Sequence, residues 1–298
     1  MKNQFTPITR INLVEPIDSV VGMGVYIDDH LNWVKQSIES VLCQSYQGFL
    51  LVIVLDGEVK KDVFSYLKQL STTRNNILLI DSSVNVGLSS CMNYVIDWTL
   101  NNMPSAEFFF RMDADDISLS DRFEKQIKFL KTHQKTQVLG TSLVEINENG
   151  KKVGKRKLPK KHGDIFRILP KRCAINHPTV VVRMEVFQQG YRYREDLQNT
   201  QDYFLWAELC AAGYKFANLP EPLLEFRRVN DFYKRRGLSK SINEFKARFY
   251  AMKVLKRYSI GNIVYAFAVL FLRLMPSKIV KLAYKIDRYL LNKRVRHE

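Results

Sequence analysis

Residues 107–116 read EFFFRMDADD. Three consecutive phenylalanines make a short run that suits a buried strand, and Asp113, Asp115 and Asp116 then crowd three carboxylates into four positions at its end. Like charges this close repel unless they are solvated or share a cation. Two readings fit: a solvated acidic turn ahead of a helix that opens near Ser120, or a hard-oxygen site for Mg2+ or Mn2+ with positions left for diphosphate oxygens. What lies upstream bears on the choice.

Working back from residue 107, apolar runs at 19–27 (SVVGMGVYI), 49–55 (FLLVIVL) and 77–81 (ILLID) read as buried strands, with EFFFRM (107–112) as the fourth. Between them, 31–44, 61–71 and 88–101 carry apolar residues at helical spacing. That β-α-β-α order predicts a parallel, helix-covered sheet, in which ligands bind beyond the carboxyl ends of the strands. The segments past the strands are polar: Tyr26-Ile27-Asp28-Asp29-His30, Asp56-Gly57, Asn85-Val86-Gly87 and the acidic turn itself. The turn's place at a strand end favours the metal reading.

Downstream the pattern changes. A helix is expected from Ser120 to about His133, a strand at 137–147, a hairpin turn at Asn149-Gly150, a basic loop over 151–172 with a short helix near 160–171, and a strand at 179–183. A helix at 201–212, two short strands at 215–218 and 223–227, and a helical tail from about 239 to 293 with breaks near Gly261 and Pro276 complete the reading.

The 46% apolar share is ample for a large core and excludes a disordered chain. Cys43, Cys91, Cys173 and Cys210 form no CxxC pair, which excludes a zinc ribbon or a thioredoxin-type dithiol. The net charge of +16 is lopsided, because residues 231–298 hold 17 basic and 4 acidic side chains. An anionic surface is therefore expected to meet the tail. Within it, IVYAFAVLFL (263–272) is too short to span a bilayer and lies between basic flanks, the pattern of a helix resting on an anionic leaflet. Nucleic acid is disfavoured, since a surface that tracks solvated phosphates needs no such apolar body. The N-terminal stretch MKNQFTPITRINLVEP has no apolar core of signal-peptide length.

Taken in order, VVGMGVYI, SIESVLCQSY, FLLVIVLDG, NVGLSSCMN, FFFRMDADD, SDRFEKQ, NHPTVVVR, TQDYFLWAEL and GYKFANLPEPLLEFR resemble a family 2 glycosyltransferase of the GT-A fold over residues 19–236. Residues 176–236 are similar to bacterial enzymes that build O-antigen and capsular polysaccharide. The resemblance implies an α/β, Rossmann-like GT-A domain over residues 1–236, with a mixed, mostly parallel sheet and flanking helices. Its nucleotide-sugar half would be 19–118 and its acceptor half 119–236, with 237–298 as a C-terminal membrane-associating helical segment. It also implies a nucleotide-diphospho-sugar donor, a UDP-sugar by family habit, with Mn2+ or Mg2+, a glycan or lipid-linked acceptor, inversion at the transferred sugar, and work at the inner face of the bacterial plasma membrane.

The same resemblance gives roles to residues. Asp113 and Asp115 match the DxD that holds the metal and donor ribose, with Asp116 adjoining. Asp56 matches an acid that reads the nucleotide base, although Leu55 stands where the family has a second acid. Tyr26 matches a tyrosine that packs on the base, and Asn85 and Gly87 match a loop close to the donor. Met92 occupies the place of a family arginine. Gln201-Asp202 resembles the family's ED motif, which makes Asp202 the expected base for the acceptor hydroxyl; by itself it also reads as an acid at a helix start. His177 either lines the acceptor cleft or is a satisfied histidine before Pro178. Arg235 and Arg236 belong either to a loop facing the diphosphate or to the basic tail. Two other classes compete. One is a degenerate GT-A protein serving as a non-catalytic membrane module; the other is a nucleotidyltransferase, which YIDDH does not fit because that class opens with a glycine-rich basic loop.

Overall fold

The computed structural model describes residues 4–9, 11, 16–229 and 238–275. In chain order the strands are β1 (Phe5–Pro7), β2 (Ser19–Val25), β3 (Phe49–Asp56), β4 (Ile77–Ser82), β5 (Phe108–Arg111), β6 (Ile117–Ser118), β7 (Thr136–Ile146), β8 (Lys152–Arg156), β9 (Val181–Arg183) and β10 (Lys215–Arg227). The helices are α1 (Leu31–Leu42), α2 (Lys61–Thr73), α3 (Leu88–Asn102), α4 (Arg122–Thr132), α5 (His162–Ile168), α6 (Met184–Gln188), α7 (Gln201–Ala211), α8 (Leu238–Val254) and α9 (Ile260–Leu274). The strands form one sheet in the order β1-β4-β3-β2-β5-β9-β7-β10-β6, with β8 on β7. β4, β3, β2 and β5 run parallel, as do β7 and β10, while β9 is antiparallel to both of its neighbours.

Strand alternation explains the phenylalanine run. Phe109 points to one face, 5.6 Å between ring centroids from Phe187, while Phe108 and Phe110 point to the other, where Phe110 lies 4.3 Å from Phe123. One strand thus feeds both hydrophobic cores: α3, α6 and α7 cover the Phe109 face, and α1, α2 and α4 the opposite one. At β5 the sheet changes from parallel pairing with β2 to antiparallel pairing with β9, and the acidic turn follows at that switch point.

Several expectations need correction. β8 lies inside the stretch read as a basic loop, paired antiparallel with β7 across the expected Asn149-Gly150 turn, where Gly150 takes φ +78°. Residues 215–227 form one irregular strand with register shifts around Pro222, not two. Thr179 belongs to a 3-10 turn over His177–Thr179 ahead of β9. The tail breaks at 255–259, where Lys256 takes φ +53° and the Ser259 hydroxyl accepts the Asn262 N–H (3.2 Å); Gly261 sits inside α9. The second expected break, Pro276, and the tail beyond it lie outside the described residues. All four cysteines are free, with Cys43 exposed.

Candidate active site

The loops past β3 and β4 are tied together through Asp56 at the end of β3. Its carboxylate accepts the N–H groups of Val86 (2.6 Å) and Gly87 (3.1 Å), and the Asn85 side-chain amide donates to the Asp56 carbonyl (3.1 Å). Asp56, Asn85 and Gly87 are therefore one unit. Gly57, at φ +77°, permits it, since a Cβ there would sit 2.7 Å from the Asn85 nitrogen. A carboxylate offers about four acceptor sites, so Asp56 keeps capacity for a further N–H. Tyr26 is exposed beyond β2, and its N–H donates to Asp29 (2.9 Å). Met92, in the place of the family arginine, is buried in the core under the sheet.

At the acidic turn the three aspartates separate. Asp113 pairs with the buried Arg111, and its carbonyl accepts from the Ser37 hydroxyl (2.8 Å). Asp115 is half-buried; burial first, then the charges of Asp113 and Asp29, push it up to about 7. Burial, with Asp113 adding repulsion, likewise raises Asp29 to about 6. Asp116, expected among the donor contacts, is fully buried. Its Oδ1 accepts the Arg227 N–H (2.8 Å), and burial and its acidic neighbours raise it well above the usual carboxylate range. That places Asp116 beneath the turn, fastening it to β10. Arg227 completes the clamp by donating to the Asp115 carbonyl (2.8 Å) and the Gln36 side chain (2.7 Å).

The donor set suits the expected cation. Among the described residues no three His, Cys, Asp or Glu side chains converge into a closed metal cluster. An open arrangement, with carboxylates from Asp113 and Asp115 and the remaining positions filled by diphosphate oxygens and water, is how Mg2+ and Mn2+ are usually held. The raised values of Asp115 and Asp29 come first from burial and then from the neighbouring acids, with Lys60 and Arg227 offsetting part of the effect.

This has a measurable sign. An acid whose folded value exceeds its unfolded value near 3.8 binds protons more tightly in the folded state, so its contribution to stability declines as pH rises through the folded value. The metal-free protein is expected to lose thermal stability between about pH 4 and pH 7 through these groups. Mn2+ should raise the melting temperature more at pH 8 than at pH 5, and Asp115→Asn should flatten both trends. Melting curves with chelator and with Mn2+ check this; an equal Mn2+ effect at both values would show that the cation binds elsewhere.

Across the sheet, α7 brings Asp202 to its first turn, after Thr200 in the left-handed region at φ +64°. Such strain in a non-glycine residue persists only where the surroundings enforce it. Cys173 lies with Sγ 3.9 Å from Asp202 Oδ2, and burial, then Asp202, holds its thiol well above the usual range. Gln201 is buried. His177 is half-buried, its Nε2 3.1 Å from the Tyr193 hydroxyl, and burial together with Arg111 lowers its pKa well below the usual histidine value. It is a neutral, partnered ring beside Tyr193 and Trp206. Tyr193 joins the two sides: burial raises its hydroxyl, Asp202 and Asp113 add to that and Arg111 opposes, so the acidic turn and the α7 carboxylate both act on one phenol.

Asn93 latches the halves together. Its amide donates to the Tyr193 carbonyl and to Glu195 (2.8 Å each), and its carbonyl accepts the Tyr193 N–H (2.9 Å). Arg235 and Arg236 lie outside the described residues. Sequence reasoning passed over Asp29, Arg111, Tyr193 and Arg227. Asp29 had a signal in its place past a strand, next to Asp28; Arg227 had none, because its partners in the acidic turn and on α1 are far off in sequence, and Arg111 had none, because an arginine inside a buried strand does not show locally that it turns onto Asp113.

A sheet of this order, with acids at the parallel strand ends and a second carboxylate on a helix of the opposing half, is the GT-A architecture. The model of "Glycosyl transferase family 2" matches residues 23–190, and the chain belongs to that family. It is 31% identical to the amylovoran biosynthesis glycosyltransferase AmsE of Erwinia amylovora over 90% of this chain and 98% of that one. It is 26% identical to a UDP-Gal:alpha-D-GlcNAc-diphosphoundecaprenol beta-1,3-galactosyltransferase of Escherichia coli over 91% and 97%. Among solved structures, Staphylococcus aureus TarS 1–349 with UDP-GlcNAc superimposes with a TM-score of 0.59 at 14% identity, covering 88% of this chain and 83% of that one. The Pyrobaculum calidifontis mannosyltransferase PcManGT with GDP-Man and Mn2+ gives 0.53 at 13%, covering 98% and 86%.

Proposed function

We propose that the protein transfers a sugar, with inversion, from a UDP-sugar to a hydroxyl of a glycan or lipid-linked oligosaccharide in the assembly of bacterial surface polysaccharide. The observation that carries this is the acidic turn: two carboxylates with raised pKa values beside Asp113, at the parallel strand ends, with Asp202 acting on the same tyrosine from the other side. The names of the relatives support polysaccharide assembly and a uridine donor.

Asp56 and the Asn85–Gly87 loop hold the base end of the donor, with the exposed Tyr26 stacking on it. Asp113 and Asp115 hold Mn2+ or Mg2+, which when bound offsets the diphosphate charge. Asp202 accepts the proton of the acceptor hydroxyl as its oxygen attacks the anomeric carbon from the face opposite the departing nucleoside diphosphate. Arg227 and Asp116 keep the turn in register beneath. A charged donor does not cross a bilayer unaided, which puts the reaction on the cytoplasmic face of the plasma membrane.

A melting-temperature screen of UDP-, GDP- and dTDP-sugars with and without Mn2+ tests the reading. A UDP-sugar at about a hundred times its Kd adds about 2.7 kcal/mol, a rise of about 5–10 °C, and only with the metal present. No shift from any nucleotide sugar under either condition would sink the transferase reading.

A further inference from the structure

α9 packs on α8 by one face and leaves the other bare. Asn262 and Ala266 are buried, the Phe267 ring centroid lies 5.1 Å from that of Phe245, and Arg273 pairs with Glu244 at 2.5 Å. On the other side Ile260, Val264, Phe267 and Phe271 follow one another at spacings of four, three and four, Phe267 at the edge where it also meets Phe245, with Met275 four further on at the C-cap. Their exposures are 84%, 60%, 44%, 61% and 49%. Four to five large apolar side chains in one helical line form a continuous surface that water solvates poorly. Elsewhere among the described residues the exposed large apolar side chains are single residues or adjacent pairs, such as Tyr26-Ile27, Val84 and Ile242.

Charge identifies the occupant. From residue 245 to residue 286 the sequence has nine lysines and arginines and no aspartate or glutamate. At the turn into α9, Lys253, Lys256, Arg257 and Tyr258 are all exposed, side by side with Ile260. A partner protein would need a matching acidic rim around an apolar groove; a leaflet with anionic headgroups supplies both layers at once. α9 has 15 residues, about 22 Å of helix against a hydrocarbon core of about 30 Å, and no described helix is long and apolar enough to cross a membrane. The helix therefore lies in the plane of the interface.

We infer that α9 is a leaflet-docking helix, with the Ile260-Val264-Phe267-Phe271-Met275 stripe entering the headgroup–acyl boundary of an anionic membrane and the Lys253-Lys256-Arg257 turn meeting its phosphates. This rests on the reading above and deepens its lipid-linked acceptor. The docking face is held firmly to the candidate site. α8 packs on α7, the Tyr250 hydroxyl donates to Glu208 (2.7 Å), the Phe204 and Tyr250 rings lie 4.8 Å apart, and Ala247 and Ala251 are buried in the same core. α7 carries Asp202 at its start, so a docked α9 fixes the height of the candidate base above the leaflet.

The test is flotation of the full-length protein with vesicles of phosphatidylcholine alone and of phosphatidylcholine containing phosphatidylglycerol, with Val264→Glu/Phe271→Glu and Lys253→Glu/Lys256→Glu as variants. All four positions are exposed or lie on the bare face, and unchanged circular dichroism and melting confirm that the variants fold. The wild type should float only with the anionic vesicles, less so as salt rises, and each variant should bind about tenfold or more weakly. Wild-type binding indifferent to anionic lipid, variants that float like the wild type, or a dimer abolished by Val264→Glu/Phe271→Glu without flotation would each overturn the docking assignment. The nucleotide-sugar shift, measured without vesicles, separates the two readings. A retained shift with failed flotation removes docking alone, and flotation without any shift removes the transferase reading alone.

Discussion

Asp115→Asn is expected to lower turnover about 10³-fold, equivalent to about 4 kcal/mol, while leaving the metal-free protein as stable as the wild type or more so. The two effects have one origin. Asp115 is half-buried beside Asp113 and Asp29, and its carboxyl is pushed up to about 7 because the folded state opposes its charge. Replacing it with a neutral isostere removes that repulsion, so the fold gains at pH 8 where the carboxylate would be ionised. The same replacement exchanges an anionic oxygen ligand for a weaker neutral one at the place where a cation would offset the diphosphate charge. A variant that merely damaged the fold would lose stability and activity together. Turnover, the Mn2+-dependent melting shift and metal-free melting at pH 8 are the three readouts. Near-normal turnover, or a full Mn2+ shift in the variant, would show that Asp115 does not hold the cation.

The sheet was legible in the sequence wherever a strand fills both cores. The runs at 19–27, 49–55 and 77–81 are apolar at nearly every position because helices cover both faces of β2, β3 and β4, and EFFFRM reads the same way. β1, β6 and β8 went unseen for the opposite reason. β1 and β6 are two- or three-residue edge strands, and β8, KVGKR, has one face to solvent and charges at its ends, which makes its composition that of a loop. β10 was split in two by Pro220 and Pro222, which interrupt the run of apolar residues but fall where its register with β7 shifts.

The site divides along similar lines. Residues that sit just past a strand stand out as candidates by position: Tyr26, Asp56, Asn85, Asp113 and Asp115. Residues that support them from another strand do not. Arg227 is one of two arginines in Arg227-Arg228, with nothing local to show that it reaches back to the acidic turn while Arg228 pairs with the buried Glu145. Asp116 shows the limit in reverse, since adjacency to Asp113 and Asp115 reads as membership of the candidate site, and only the β10 backbone bond reveals that its side chain turns inward. Arg111 lies beneath the acidic turn, where one buried cation offsets part of the carboxylate charge, and a strand residue two positions ahead of a DxD gives no hint of that.

Asp202→Asn is expected to reduce kcat by about 10²–10⁴-fold with the donor KM and the Mn2+-dependent melting shift intact, because the amide keeps the shape of the carboxylate but cannot accept the acceptor's proton. The competing account gives Asp202 only the work of an acid in the first turn of α7, which contributes about 0.3–1 kcal/mol and would appear as a melting loss of a few degrees at most with turnover nearly unchanged. The two accounts therefore diverge in kcat, where one predicts at least two decades and the other almost nothing. The charges of Asp202 and Asp113 both raise the buried Tyr193 hydroxyl, and the left-handed Thr200 sets the start of the helix that carries Asp202. Cys173, close by, does not compete for the proton, since burial and the Asp202 charge keep its thiol neutral. Asp202→Glu extends the comparison. A longer side chain with the same chemistry moves the carboxylate by about an ångström, enough to cost about 10²-fold if proton transfer needs its geometry and nothing if only the helix dipole is served.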